Sequence, residues 1–326
     1  MTASLEPIKQ AVHPPDFHII IGPVSADITQ RTLDWMQSHR MFGNLDNVRA
    51  YQKQALVAAT FGCRCVPSRA NNSGRLRASK FTAIFLYLDA MTGRDVMSDQ
   101  RWHAFHASLM DLLEGREVEE EHAALAEWLG ELPEGGQDGA FALHDFQASL
   151  RDYCLSLNEA RNSDLAAMSE EAFLALRRRT SFVMPYLDHW RVFLGIDVPR
   201  EDPFRPTLEA AQAAARDLII LSNDLGSLVR DSTPGSIEKN IVLHHAQHHD
   251  VSRDVAAMWA VDTYNHRLHD LRRLLVCAYA PATSWQAPLA NLLEGVVDGN
   301  LDTLLALEER YSRSDSWVRR LYRIRL

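Results

Sequence analysis

The stretch TLEAAQAAARDLIILSNDLGSLVRD, residues 207–231, joins an apolar face to a line of polar side chains. Its apolar residues recur at helical spacing, which predicts one long amphipathic helix. Residues four apart on an α-helix point in nearly the same direction and lie about 6 Å apart along the axis. Asn223, Ser227 and Asp231 therefore share one face of the predicted helix.

These three side chains offer an amide oxygen, a hydroxyl and a carboxylate. Such hard oxygen ligands suit Mg²⁺ and not a soft metal. The alternative is an ordinary solvated helix face, because Arg230 and Asp231 lie just before the turn-forming residues STPGS. The helix by itself leaves both interpretations open.

Helical spacing continues through most of the chain from about Arg49 onward, with clusters of Pro, Gly and Ser between the segments. We expect Ser169 and Thr207 to cap the helices that follow them. The sequence therefore predicts an all-α fold in one helical domain. Besides the stretch above, helices are predicted over residues 74–89, 99–115, 140–164, 169–195, 251–280 and 285–311.

Composition excludes several classes of protein. The formal net charge is −9, from 34 basic and 43 acidic side chains. A negative field repels polyanions, so we expect no nucleic-acid partner, and a bound polyphosphate would need local cations or metal. The sequence contains no run of about 18 apolar residues and no signal-peptide pattern at its start. We expect a cytoplasmic protein without a membrane span.

Cysteine and histidine could both indicate zinc. The cysteines lack the second pair that a zinc site needs, so reduced thiols are expected at Cys63, Cys65, Cys154 and Cys277. The segment HHAQHH, residues 244–249, places histidines four apart, a spacing that can bind one metal. No HExxH pattern accompanies it. A partly exposed helix end is the favoured interpretation, and zinc is the alternative.

The segment NDLGSLVRD, residues 223–231, resembles the second metal-binding motif of class I terpene synthases, (N/D)Dxx(S/T)xxxE. Asp231 stands where that family usually has Glu, one methylene longer. The following KNIVLHH, residues 239–245, is similar to the family's continuation, in which an Asn and an aliphatic run open the next segment. The resemblance implies that Asn223, Ser227 and Asp231 are metal ligands.

A second resemblance lies in LRRRTSFVMPY, residues 176–186. Arg177 precedes Asn223 by 46 positions, the spacing of the diphosphate-sensing Arg in bacterial members. Thr180 and Ser181 then fall on the family's linker and effector positions, where the effector is more often Gly. The resemblance implies a bidentate contact from Arg177 to diphosphate and a helix break that turns backbone dipoles toward the substrate. The alternative is that three consecutive arginines form a solvated face.

Two further motifs are less complete. ERYSRS, residues 309–314, resembles the family's Arg-Tyr pair, which implies that Arg310 and Tyr311 bind the diphosphate. FLYLDAMTGRD, residues 85–95, resembles the aspartate-rich motif, but Ala90 stands where a second Asp is expected. Asp89 is then the implied metal ligand on this side of the pocket, and Asp95 could serve as an outlying acid.

The resemblance implies a mechanism. Three Mg²⁺ ions, held by Asp89 on one side and by Asn223, Ser227 and Asp231 on the other, would neutralise a diphosphate leaving group. Positive side chains would add fixed potential at the same end; they are Arg177, Arg230 and Arg310, with Tyr311 as a further donor. Pocket-lining residues, each of which could equally be core, are Phe81, Phe85, Phe182, Trp259 and Leu304, the last where relatives commonly have Trp.

The expected activity is that of a bacterial, Mg²⁺-dependent class I terpene synthase of secondary metabolism. It would ionise a C15 or C20 prenyl diphosphate, or a bicyclic diphosphate, and cyclise or rearrange the carbocation. The alternatives are a trans-prenyl transferase-like enzyme and a prenyl diphosphate-binding protein with little or no cyclase activity. We expect residues 1–44 to be partly disordered or to close over the site, and residues 45–326 to form the helical α-domain with a central cavity. The sequence leaves open whether the protein forms a homodimer.

Overall fold

The computed structural model describes residues 26–41, 48–67, 70–93, 96–116, 119–132, 140–232, 239–278, 285–307 and Trp317. Among these residues there are α-helices, two short 3₁₀ turns and no strand. The predicted all-α fold is therefore confirmed. The helices are α1 Ala26–Ser38, α2 Val48–Arg64, α3 Asn72–Met91, α4 Asp99–Leu113, α5 Ala123–Gly130, α6 Ala140–Asn162, α7 Glu170–Thr180, α8 Val183–Leu194, α9 Arg205–Asp231, α10 Ile241–His248, α11 Arg253–Ala278 and α12 Gln286–Ala306.

One hydrophobic cluster joins most of these helices. It runs from Leu33 and Met36 in α1 to Leu301 and Leu304 in α12. Helix α1 lies inside the segment predicted as 1–44 and packs against α2 and α3; the proposed boundary at residue 44 stays a prediction. Within the described part of the chain, no helix combines the length and apolar character that crossing a bilayer requires.

The cysteines that the structure describes behave as ordinary core residues. Cys63, Cys65 and Cys154 are free and buried. Burial raises the pKa of both Cys65 and Cys154 to about 12, so these thiols stay protonated at neutral pH. This agrees with the prediction of reduced thiols.

Helix α9 is the central element. It has 27 residues and packs against α7, α8, α10, α11 and α12. It begins at Arg205, and Pro206 lies in its first turn, where a fixed φ and a missing N–H are tolerated. The predicted cap at Thr207 is therefore wrong. Ser169 does cap α7, because its side chain accepts a hydrogen bond from the backbone N of Ala172 at 3.2 Å.

The continuous helix predicted over residues 169–195 is also wrong, because the chain breaks between α7 and α8. Phe182 has φ 61° and ψ 0°, in the left-handed region. This backbone conformation is costly for a residue with a side chain. The Phe182 ring offsets that cost by stacking on Phe85, with the ring centroids 4.7 Å apart. A break thus lies where the family resemblance implied one.

The contact between α12 and α2 depends on glycine. A Cβ atom at Gly299 would overlap the backbone carbonyl of Arg64, so the two helices approach closely only because that side chain is absent. The Nη1 atom of Arg64 in turn donates to the carbonyl of Asp302 at 3.0 Å.

We expect Gly299→Ala to destabilise the fold by about 1–3 kcal/mol, because the added methyl group must push α12 away from α2. The measurement is chemical unfolding followed by circular dichroism. Gly130→Ala is the matched control, since a Cβ at Gly130 meets no atom within 4 Å. Equal unfolding midpoints for the two variants would contradict the close approach of these helices.

Candidate active site

The last two turns of α9 bring the predicted metal ligands together. Ser227 is 1% exposed, and its Oγ donates to Oδ2 of Asp231 at 2.5 Å. The Nε of Arg230 donates to the other carboxylate oxygen of Asp231 at 2.8 Å. Asn223 is half-buried, and its side chain makes no hydrogen bond to the residues that the structure describes. These are hard oxygen donors with spare coordinating capacity, so the residues fit a hard divalent cation.

Arg177 contacts the same helix at Asp224, the residue after Asn223. Its Nε and Nη2 donate to the two carboxylate oxygens of Asp224, at 3.2 and 2.6 Å. Asp224 is 1% exposed, so this bidentate pair is a buried charge interaction. Burial acts to lower the pKa of Arg177, but Asp224, with smaller contributions from Asp89 and Asp231, raises it overall. Arg177 is therefore always charged.

The three consecutive arginines are not a solvated face. Arg178 makes a second bidentate pair with α9, donating to both oxygens of Asp217 at 2.8 and 2.7 Å. Arg179 turns to α6, and its Nε donates to Asp152 at 2.9 Å. The run anchors α7 to two neighbouring helices, and Arg177 is the member that reaches the metal motif.

Asn240 couples the motif to the next helix. It is fully buried and caps α10, where its Oδ1 accepts from the backbone N of Val242 at 3.0 Å. Its Nδ2 donates to the carbonyl of Asp224 at 2.8 Å and to Oδ2 of Asp231 at 3.1 Å. This role of Asn240 was not predicted from the segment KNIVLHH, although a cap residue directly before an aliphatic run is a signal for it.

Asp89 lies in the last turn of α3 with its side chain 50% exposed. The ammonium of Lys239 lies 3.6 Å from Oδ1 of Asp89 and 2.5 Å from Oγ1 of Thr92. The end of α3 is held in place by the buried Arg161, which donates to the carbonyls of Thr92 and Gly93. Neither Lys239 nor Arg161 was identified from the sequence.

A cavity of about 50 Å³ lies between α3, α6 and α7. Asp89 and Lys239 line it on one side, and Arg177 and Thr180 on the other. This volume suits water molecules and is far smaller than the roughly 300 Å³ of a typical small-ligand pocket. The cavity therefore joins Asp89 to Arg177 and is not lined by Asn223, Ser227 or Asp231. An apolar ligand would need neighbouring side chains to move.

Aromatic rings fill the space next to the break. The Phe182 ring lies 4.5 Å from Phe81 and 5.1 Å from Tyr153, measured between ring centroids. Phe81 in turn stacks on Trp128 at 4.0 Å. The hydroxyl of Tyr153 is buried and has no hydrogen-bond partner among the described residues. Burial first, and then the charge of Asp89, raise the pKa of Tyr153 well above its usual value, so the hydroxyl stays protonated.

The structure brings together only part of the predicted pocket. Phe81, Phe85 and Phe182 form the aromatic cluster just described, whereas Trp259 stacks on His245 at 3.8 Å on the α10 side. Leu304 is buried in α12. Their roles in lining a pocket stay predictions.

Other predicted site residues lie at the edges of the site. The side chains of Thr180 and Ser181 donate to the carbonyls of Arg177 and Arg178, at 3.3 and 3.0 Å, where α7 ends. Arg230 is exposed and contacts Asp231. Asp95, Arg310 and Tyr311 lie outside the described residues.

Comparison with known proteins agrees with this geometry. Residues 80–270 match the family model described as terpene synthase family 2, C-terminal metal binding. A curated relative, 4-epi-cubebol synthase from Streptosporangium roseum, is 25% identical over 322 residues, which cover 95% of this chain and 94% of the relative. Its name specifies cyclisation of (2E,6E)-farnesyl diphosphate.

Solved structures share the fold. The crystal structure of linalool/nerolidol synthase from Streptomyces clavuligerus superposes with a TM-score of 0.73 at 19% identity, covering 89% of this chain and 99% of that chain. Its complex with 2-fluorogeranyl diphosphate gives a TM-score of 0.73 at 18% identity, covering 87% of this chain and 100% of that chain. The predicted class I terpenoid synthase fold is confirmed.

We expect Asp224→Asn to lower the free energy of unfolding by about 3 kcal/mol, because Arg177 would lose its counter-ion in a buried setting. Urea unfolding measures the change. The matched control is Asp27→Asn, which removes the acid of an exposed pair with Arg31 and should cost less than about 1 kcal/mol. If both variants unfold at the same urea concentration, the pair does not anchor α7.

Proposed function

This chain belongs to the terpene synthase family with a C-terminal metal-binding domain, and from that premise we propose that it ionises a prenyl diphosphate with Mg²⁺ and then cyclises or rearranges the carbocation. One observation carries the proposal. Arg177 lines the same cavity as Asp89 and is hydrogen-bonded through Asp224 to α9, the helix that carries Asn223, Ser227 and Asp231. Arg177 thus links the cavity that Asp89 lines to the helix that carries the other predicted ligands, and it supports the proposal by supplying a fixed positive charge there.

The proposed substrate is farnesyl diphosphate. The relative that aligns over nearly the whole chain is named for cyclising that substrate. A C15 chain also falls within the range that the sequence predicted. Geranylgeranyl and bicyclic diphosphates are the remaining candidates from the sequence.

We propose Asp89 on one side, and Asn223, Ser227 and Asp231 on the other, as the ligands of three Mg²⁺ ions. When bound, the metal would neutralise the diphosphate as the carbon–oxygen bond breaks. Asp231 is shorter than the family's Glu, so it would hold its ion closer to α9. Ala90 offers no second carboxylate, which leaves Asp89 as the ligand on α3.

Cationic side chains would stabilise the leaving group. Arg177 and Lys239 both line the cavity, so their charges lie where negative charge develops. Arg230 lies beside Asp231 at the surface, where it could close the outer side of the site. Arg310 and Tyr311 are proposed as further diphosphate donors on the basis of the resemblance alone. Thr180 and Ser181, at the end of α7, are proposed as the linker and effector positions.

The apolar side of the site would control the carbocation. The rings of Phe81, Phe85 and Phe182 offer π faces that stabilise a cation without forming a bond to it. Phe81 and Phe182 are buried and Phe85 is half-buried, so these rings would keep water away from the reactive intermediate. A chain that enters must separate these rings, because the cavity is small in this conformation.

We expect the purified protein with Mg²⁺ to release diphosphate from farnesyl diphosphate and to form a terpene detectable by gas chromatography–mass spectrometry. Geranyl, geranylgeranyl and copalyl diphosphates complete the substrate panel. Asn223→Ala and Asp231→Ala should each lower kcat by about 100-fold or more, which is the effect of removing one electrostatic contact to the transition state.

Asp254→Ala is the matched control, since this exposed acid lies in the first turn of α11, outside the site. Circular dichroism checks that each variant stays helical. Diphosphate release that needs isopentenyl diphosphate and yields a longer chain would favour a prenyl transferase. Binding of farnesyl diphosphate without any turnover would favour the non-catalytic alternative, and normal turnover by Asn223→Ala would refute the ligand assignment.

A further inference from the structure

We propose that Glu170, His245 and His249 form a second metal site, which binds Zn²⁺ or a similar borderline cation. The site is separate from the proposed Mg²⁺ ligands and does not depend on the proposed function. It lies between the first turn of α7 and the C-terminal end of α10.

The three side chains already converge on one point. Nδ1 of His245 lies 2.9 Å from Oε1 of Glu170, and Nε2 of His249 lies 2.7 Å from Oε2. One ligand atom from each residue lies within 4.8 Å of the others. A cation placed among them would need only small side-chain rotations, because exposed rings such as that of His249 have room to turn.

The ligand set is selective. Two imidazole nitrogens with one carboxylate form a three-ligand zinc set, and the fourth position stays open to water. Mg²⁺ prefers oxygen ligands and would compete poorly here. The proposed oxygen site on α9 has the opposite preference, so one chain would hold two sites of different chemistry.

The protonation states suit a metal. Burial acts to raise the pKa of Glu170, but hydrogen bonds from His249 and His245 outweigh it and lower the pKa, so the carboxylate is ionised. In the metal-free cluster each imidazole is hydrogen-bonded to Glu170 through its facing nitrogen. On metal binding the ring proton would move to the nitrogen that faces away from Glu170, which frees the facing nitrogen as a ligand. The cation would then replace two N–H···O hydrogen bonds with metal–ligand bonds.

Neighbouring groups fix the ligands. His245 stacks on Trp259 with 3.8 Å between ring centroids and 5° between ring planes, which sets the direction of its ring. Glu170 begins α7 directly after the Ser169 cap, so its backbone is fixed as well. Such outer contacts orient a ligand before the metal arrives.

The position gives the site a structural effect. Its two sides are α7, which carries Arg177 at its far end, and α10, whose N-cap Asn240 contacts Asp231. A bound ion would lock these helices together and should raise the melting temperature. Zinc binding can therefore be followed through the melting temperature, without any assay of turnover.

The test uses the full chain with every affinity tag removed, because histidine tags bind zinc themselves. Metal is first stripped with a chelator, and Zn²⁺ is then titrated against a chromophoric indicator in excess Mg²⁺. Visible absorption of Co²⁺ reports the coordination geometry. We expect one equivalent to bind and to raise Tm.

His249→Ala and Glu170→Gln should weaken zinc binding by about 100-fold or more, since even changes behind a ligand cost about 10–100-fold. His248→Ala is the matched control: His248 belongs to the same histidine run and is also exposed, but it lies outside the three-residue cluster. It should keep wild-type affinity and the Tm increase.

Circular dichroism establishes that the variants are folded, and His249 is exposed enough that its loss should not unfold α10. The proposal is overturned if wild type binds zinc no more tightly than His249→Ala, which would leave only a hydrogen-bonded cluster. Equal loss in His248→Ala and His249→Ala would also overturn it, because binding would then belong to the histidine run in general.

Discussion

The buried pair between Arg177 and Asp224 is the interaction on which the rest of the site depends. Asp224 accepts hydrogen bonds from Nε and Nη2 of Arg177 and also from the backbone N–H of Ile241, at 2.8 Å. Three helices, α7, α9 and α10, therefore meet at one carboxylate. A buried carboxylate is costly without a cation and hydrogen bonds. Charge compensation thus requires these helices to adopt one relative arrangement, and the metal motif follows from it.

Helix α10 is short, but side chains at both of its ends contact neighbouring helices. Asn240 at its start contacts the backbone of Asp224 and the side chain of Asp231, and His245 near its end contacts Glu170 on α7. The predicted oxygen ligands on α9 and the arginine on α7 are consequently held in one fixed arrangement. Precise catalytic geometry needs such support, because a displacement of about 1 Å can cost a large factor in rate.

Much of this arrangement could be read from local patterns. Helical spacing predicted most of the helices and the position of Ser227 beside Asp231, because both features depend on residues that are close together in the chain. The partner of Arg177 could not be predicted, because pairing across helices depends on how they pack. Helical spacing predicted a continuous helix through Phe182. It missed the break because the left-handed backbone of Phe182 is stabilised by the ring of Phe85, which is distant in the sequence. The cap at Thr207 failed for a local reason, the preference of Pro206 for a first turn.

The aromatic cluster around Phe182 also imposes a free-energy cost on any apolar ligand that enters between its rings. Phe81 is wholly buried and Phe182 nearly so, and these rings contact each other in the region proposed for an isoprenoid tail. Separating them forfeits dispersion contacts that only an incoming hydrocarbon can replace. Each additional isoprene unit supplies more of that replacement, at about 0.8 kcal/mol per buried methylene. With the proposed substrates, discrimination against short tails would therefore arise from cohesion among the protein's own rings, and contacts to the diphosphate would add to it.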